Sequence, residues 1–91
     1  MYKVVVIDDE QDVRQHISSM VNKANVNFEV ISEYENGIDA IDGIFADLPD
    51  LVITDIKIPY IDGIELARRI KNAQPLIKIT IMQNRQPTWA L

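Results

Sequence analysis

Two short, unbroken apolar runs end in aspartate: Val4-Val5-Val6-Ile7 before Asp8-Asp9, and Leu51-Val52-Ile53-Thr54 before Asp55. Runs of this length, rich in β-branched residues, read as strands buried on both faces, the kind that fills the middle of a parallel sheet. Elsewhere the period is helical. Val13, Ile17, Met20, Val21 and Ala24 form one stripe, for which Asp9 is the expected N-cap. After Asn25-Val26-Asn27, Phe28, Val30 and Ile31 lie among Glu29, Ser32 and Glu33, which predicts a half-exposed edge strand. A second helix is expected from Asn36-Gly37, with Ile38, Ile41, Ile44 and Phe45 on its inner face and Leu48-Pro49-Asp50 as its stop. A third opens at Asp62-Gly63-Ile64-Glu65, a capping-box spacing, and carries Leu66, Ala67, Ile70 and Ala73 before Pro75. A fourth strand runs from Leu76 or Ile77 to about Met82, and Met20 and Met82 read as core fillers.

Strands and helices thus alternate, β-α-β-α-β-α-β, which implies an α/β fold with right-handed crossovers and helices on both faces of a parallel sheet. The two wholly apolar strands belong in the centre. The predicted spatial order is 2-1-3-4, a truncated form of the flavodoxin-like doubly wound sheet. In that order the winding reverses between strands one and three, and ligands bind outside the carboxyl ends of the strands at such a point. Asp8, Asp9 and Asp55 would converge there. Like charges about 4 Å apart repel by roughly 4 kcal/mol per pair at an effective dielectric near 20. A hard cation relieves that repulsion, so the pattern points to a metal site.

Composition narrows the function classes. The 91 residues are 47% hydrophobic, enough for one small domain with a core. A formal net charge of −5 argues against nucleic-acid or anionic-membrane binding by this piece. The absence of cysteine excludes disulfides, thiolate zinc sites and thiol catalysis. Met1-Tyr2-Lys3 leads straight into a strand and no stretch has membrane-spanning length, so a cytoplasmic location is expected. Residues 83–91 lack periodicity and read as an irregular tail after a domain spanning 1–82.

The motifs Val4-Val5-Val6-Ile7-Asp8-Asp9-Glu10, Leu51-Val52-Ile53-Thr54-Asp55-Ile56-Lys57-Ile58-Pro59 and Asp62-Gly63 resemble the receiver domain of bacterial two-component response regulators, of the chemotaxis-receiver kind. Glu33-Tyr34-Glu35-Asn36-Gly37-Ile38-Asp39-Ala40 fits the same pattern, and the resemblance covers Met1 to about Met82. It implies that Asp55 is the phosphoacceptor in a phosphorelay, receiving its phosphoryl group from a sensor histidine kinase or a small acyl phosphate. It implies a Mg2+ ion held by Asp9 directly, by Asp8 largely through water, by Asp55 and by the backbone carbonyl of Lys57. Such a domain is not an enzyme beyond this self-phosphorylation. Control of transcription in a longer protein follows by analogy.

The chain also departs from that family. The family carries Ser or Thr at the end of the fourth strand, where this sequence has Gln83, and a Lys ending a fifth strand, which this sequence does not reach. The expectation is a truncated receiver lacking its output half. The loss of pattern at Gln83 suggests a shortened or frame-shifted product rather than a natural short variant. Phosphoryl transfer should then be weak, and the exposed fourth strand should drive self-association. Two other functions compete: a haloacid-dehalogenase-like phosphatase, which needs D-x-D followed by Thr or Val where this chain has Asp8-Asp9-Glu10-Gln11-Asp12, and a pseudo-receiver that only docks partners. The simplest structural readings make Asp8 and Asp9 helix-capping residues, Asp55 a solvated loop residue, Pro59 and Gly63 loop shapers, and Glu10 and His16 surface residues.

Overall fold

The computed structural model describes residues 1–24 and 27–83. Its elements are β1 (Tyr2–Ile7), α1 (Gln11–Ala24), β2 (Phe28–Tyr34), α2 (Gly37–Asp47), β3 (Leu51–Asp55), α3 (Gly63–Ala73) and β4 (Lys78–Met82). All strand pairs are parallel and the order is β2-β1-β3-β4, so the predicted topology holds and β1 and β3 are central.

The alternation of side chains along these strands divides the core into two layers. Val5, Ile7 and Val52 face α2 and α3, packing with Ala40, Ile44, Leu66 and Ile70 and with Ile58 and Ile77 from the flanking loops. Val4, Val6 and Ile53 face the other way, against Ile17 and Val21 of α1 and Phe28, Val30 and Met82. Fully burying one such side chain contributes about 1.5–3 kcal/mol, so the middle of β1, inaccessible from Val4 to Val6, anchors both layers. β2 is half exposed along its length, as an edge strand should be.

Each helix differs in detail from its sequence reading. In α1 the first helical bond runs from Arg14 N–H to the Glu10 carbonyl, so the helix starts after Glu10, one residue later than expected. Ser18 takes a buried place on α1, while Met20 is 56% exposed and Ala24 is exposed. At about 100° per residue, Met20 falls on the flank of Ile17 away from Ser18, so it is not a core filler. Met82 does pack with the core. In α2 the buried residues are Gly37, Ala40 and Ile44, with Ile41 half-buried, whereas Ile38 and Phe45 are exposed. The reason is close approach: a Cβ on Gly37 would overlap the Ile61 carbonyl, so the helix turns its small residues toward the β3–α3 loop.

The start of α3 is capped as predicted, Glu65 N–H donating to Asp62 Oδ1 at 2.8 Å. The Glu65 carboxylate pairs with Arg68 and Arg69. Leu66 and Ile70 are buried, Ala67 is half-buried and Ala73 is exposed. β4 begins at Lys78; Ile77 before it is buried and Leu76 is 90% exposed. Among the described residues no helix is long and apolar enough to cross a membrane. The tail expected over 83–91 lies outside the described residues apart from Gln83.

Candidate functional site

The site follows from the pairing of β1 with β3. Ile7 stands opposite Thr54, so one step further brings Asp8 beside Asp55 at the carboxyl ends of the two central strands. Asp55 is still within the ladder, paired with Met82 of β4, and is only 4% exposed. This excludes the reading of Asp55 as a solvated loop residue. Asp8 is 1% exposed, while Asp9 stands at the surface. One carboxylate oxygen from each of Asp8, Asp9 and Asp55 lies within 4.8 Å of the other two, the arrangement that could hold a metal ion.

Backbone contacts fix Asp8 firmly. Its N–H donates to the Tyr34 carbonyl at the end of β2 (3.1 Å), and its Oδ1 accepts from Glu10 N–H (2.9 Å). Its carbonyl accepts from Arg14 Nη1 at 2.8 Å, and Arg14 Nε lies 3.3 Å from Glu33 Oε1 on β2. Glu10 is thus an exposed residue whose main chain serves the site. His16 is exposed on α1, outside the cluster.

The loop after β3 shapes the other wall. Ile56 N–H donates to the Met82 carbonyl (3.1 Å) and Gly63 N–H to the Ile56 carbonyl (2.7 Å). A Cβ at Gly63 would overlap the Asp55 carbonyl oxygen, so the return of the chain past Asp55 requires glycine. The Pro59 carbonyl accepts from both Gly37 N–H (3.2 Å) and Ile61 N–H (3.0 Å), tying the loop to the start of α2. Tyr60 makes the turn with φ 72°, a left-handed value. Pro59 and Gly63 are therefore loop shapers, as expected. A depression of about 200 Å³ opens beside the carboxylates, lined by Asp9, Glu35, Asn36, Pro59 and Tyr60. Lys57 is exposed two residues after Asp55, and Gln83 is exposed directly after Met82, the residue paired with Asp55.

Chemically this is an all-oxygen donor set, two of its carboxylates buried and the third at the surface. Three carboxylate charges at such spacing repel by roughly 3–4 kcal/mol per pair at an effective dielectric near 20, and a hard divalent cation offsets that repulsion. Sequence reasoning missed Arg14 and Glu33. The signal for Arg14 was its place on α1 on the flank toward the strand ends; Glu33 becomes visible only with the register of β2.

Comparison with known proteins agrees with this geometry. Residues 4–88 match the family described as response regulator receiver domain. The chain is 34% identical over 80 residues to sporulation initiation phosphotransferase F of Bacillus subtilis (strain 168), covering 88% of this chain and 62% of that protein. It is 33% identical over 86 residues to the virulence factors putative positive transcription regulator BvgA of Bordetella pertussis, covering 94% of this chain and 40% of that protein. Among solved structures, a DNA-binding response regulator of the LuxR family from Staphylococcus aureus superposes with a TM-score of 0.87 at 24% identity, covering 99% of this chain and 74% of that one. The receiver domain of AraT from Geobacillus stearothermophilus does so with a TM-score of 0.84 at 26% identity, covering 90% and 64%. The chain spans between 22% and 62% of the length of the first curated relatives it matches. It belongs to the response regulator receiver domain family, whose members are in general non-enzymatic phosphoacceptors modified on an aspartate.

Proposed function

We propose that this chain is the phosphoacceptor module of a two-component response regulator and that Asp55 takes the phosphoryl group in a Mg2+-dependent reaction. The observation that carries this reading is the buried Asp55 carboxylate at the end of β3, with carboxylate oxygens of Asp8 and Asp9 within 4.8 Å of it. An Asp55 oxygen attacks the phosphorus of a phosphohistidine or a small acyl phosphate. The bond from phosphorus to the donor's nitrogen or oxygen breaks, its electron pair leaves with the donor, and an acyl phosphate forms on Asp55. Phosphoryl transfer of this kind asks mainly for positioning and charge neutralisation. Asp9 would hold the Mg2+ directly and Asp8 through water, with Asp55 and the Lys57 carbonyl completing the set. The ion supplies neutralisation of the phosphoryl oxygens and of the acidic cluster.

Gln83 occupies the switch position in this reading and offers an amide where the family has a hydroxyl. Loss of one well-placed donor can lower a rate by about 10²–10³-fold, so transfer is expected to be slow. Receiver domains in general interact with histidine kinases, and a sensor histidine kinase is the proposed partner here. The name of the Bordetella relative supports transcription control as the output of a longer protein, and the cytoplasm, typical of response regulators, is the proposed location. The acidic net charge supports a piece that does not itself bind nucleic acid or membrane.

Among the described residues β4 has a strand on one side only, and Ile81 is 39% exposed. As a separate polypeptide of 91 residues the chain is therefore proposed to self-associate by pairing β4 edges across a two-fold axis. Sedimentation of a clean monomer at high concentration would contradict that pairing.

Intact-mass analysis after incubation with acetyl phosphate and Mg2+ tests the phosphoacceptor reading. A single phosphoryl adduct, absent in Asp55→Asn, is expected. No adduct on a chain that still binds Mg2+ would favour a docking module instead.

A further inference from the structure

We propose that the Arg14–Glu33 pair is a positioning device for the metal-side residue Asp8: Arg14 holds the Asp8 carbonyl while Glu33 cancels the charge that Arg14 brings to the site. The inference rests on the reading of Asp8 as a metal-side residue and adds two residues outside the acidic cluster to it.

Asp8 is the first residue beyond β1, where the ladder ends and the chain turns toward α1. Its carbonyl lies in a residue that is 1% exposed, and a buried carbonyl at a strand end needs a partner from elsewhere. Arg14 reaches back six residues to supply it, Nη1 to O at 2.8 Å. The N–H of the same residue is held by the Tyr34 carbonyl, and its side chain by Glu10 N–H. The peptide planes on both sides of Asp8 are thereby fixed, and the direction of the carboxylate with them.

An arginine in this place has an electrostatic disadvantage. A guanidinium beside a divalent cation site opposes loading of the ion. Glu33 sits 3.3 Å from Arg14 Nε, and the two side chains are only 15% and 34% exposed, so solvent screens the pair incompletely. The pair as a whole is neutral and leaves the charge of the three-aspartate cluster unaltered. Arginine suits the task because its planar fork can donate from Nη1 to a carbonyl while its Nε edge lies against a carboxylate. Lysine would retain the charge and one donor but not both directions.

The test is calorimetric titration of Mg2+ into the 91-residue chain, with circular dichroism to confirm that each variant is folded. In Arg14→Met/Glu33→Gln the summed charge of the pair stays zero, so any change reports positioning. Partners that orient a ligand typically account for about 10–100-fold in metal affinity, and a loss of about 10-fold is expected. Arg14→Lys, which keeps the charge and one donor, should bind Mg2+ more tightly than the double variant and less tightly than the unaltered chain. Glu33→Gln alone exposes the site to an uncancelled cation, so Mg2+ should bind more weakly at low salt, with the gap closing as salt is raised. Should the double variant not fold, the two single variants carry the test. Affinity of a folded double variant within about twofold of the unaltered chain, or a Glu33→Gln titration matching it at low salt, would overturn the proposal alone. Absence of Mg2+ binding by the unaltered chain would overturn the metal reading and this inference together.

Discussion

The two ends of the central strands differ sharply although the same residues connect them. At the carboxyl ends of β1 and β3, Asp8, Asp9 and Asp55 gather like charges against one another. At the amino ends, Tyr2, Phe28, Leu51 and Leu76 surround an apolar depression of about 370 Å³, with the Tyr2 and Phe28 rings 5.7 Å apart. Between them lies the inaccessible stretch Val4–Val6. The middle of the sheet thus supplies stability, and one rim offsets part of it with charge repulsion. Substitutions should separate the two contributions.

The largest effect belongs to the core. Leu66→Ala, at a fully buried position between α3 and the sheet, should destabilise the fold by about 2–5 kcal/mol in urea unfolding, whether or not Mg2+ is present. Asp55→Asn should act in the opposite direction. It removes charge repulsion at the rim, so without Mg2+ the variant should be more stable by on the order of 1–3 kcal/mol, below the full Coulomb figure per pair. Added Mg2+ should stabilise the unaltered chain more than Asp55→Asn, shrinking or reversing that gap. A rim substitution that destabilises as a core truncation does would erase the contrast.

The smallest effect is expected on the outer face of α3, beside neither the core nor the acidic rim. There the side-chain hydrogen bonds from Arg68 and then Arg69 draw the Glu65 carboxyl from 4.5 down to about 2. A carboxyl depressed on folding contributes stability above its unfolded value, and that contribution fades as the pH falls from 4.5 toward 2. The group is solvent-exposed, so Glu65→Gln should produce only a slight fall in melting temperature at neutral pH. That fall should vanish in high salt and at low pH.

What the sequence makes legible follows the same division. The unbroken β-branched runs before Asp8 and Asp55 identify the central strands, and parallel adjacency alone brings their ends together. Strand order and the convergence of three carboxylates could therefore be reasoned without coordinates. The inner faces of the helices were less legible. Ile38, Phe45 and Met20 are large and apolar, yet Gly37, Ala40 and Ser18 take the buried places. On α2 the close approach of the Ile61 carbonyl to Gly37 decides this, and that is a tertiary constraint with no mark in the local period. Asp9 looked like a helix cap because an aspartate just before a helical stripe is a common cap. The first helical bond, accepted by Glu10, shows that the helix starts beyond it. The Arg14–Glu33 pair was hidden for another reason: the two residues meet only once β2 is laid beside β1, Glu33 opposite Val6.

The most direct test of the central claim is chemical localisation of the phosphoryl group. The chain is treated with acetyl phosphate and Mg2+, reduced with borohydride to convert an aspartyl phosphate to homoserine, digested and sequenced by mass spectrometry. The account predicts homoserine at position 55 alone, and none when Mg2+ is chelated. Homoserine at position 8 or 9, or an equal yield at position 55 without the metal, would contradict it.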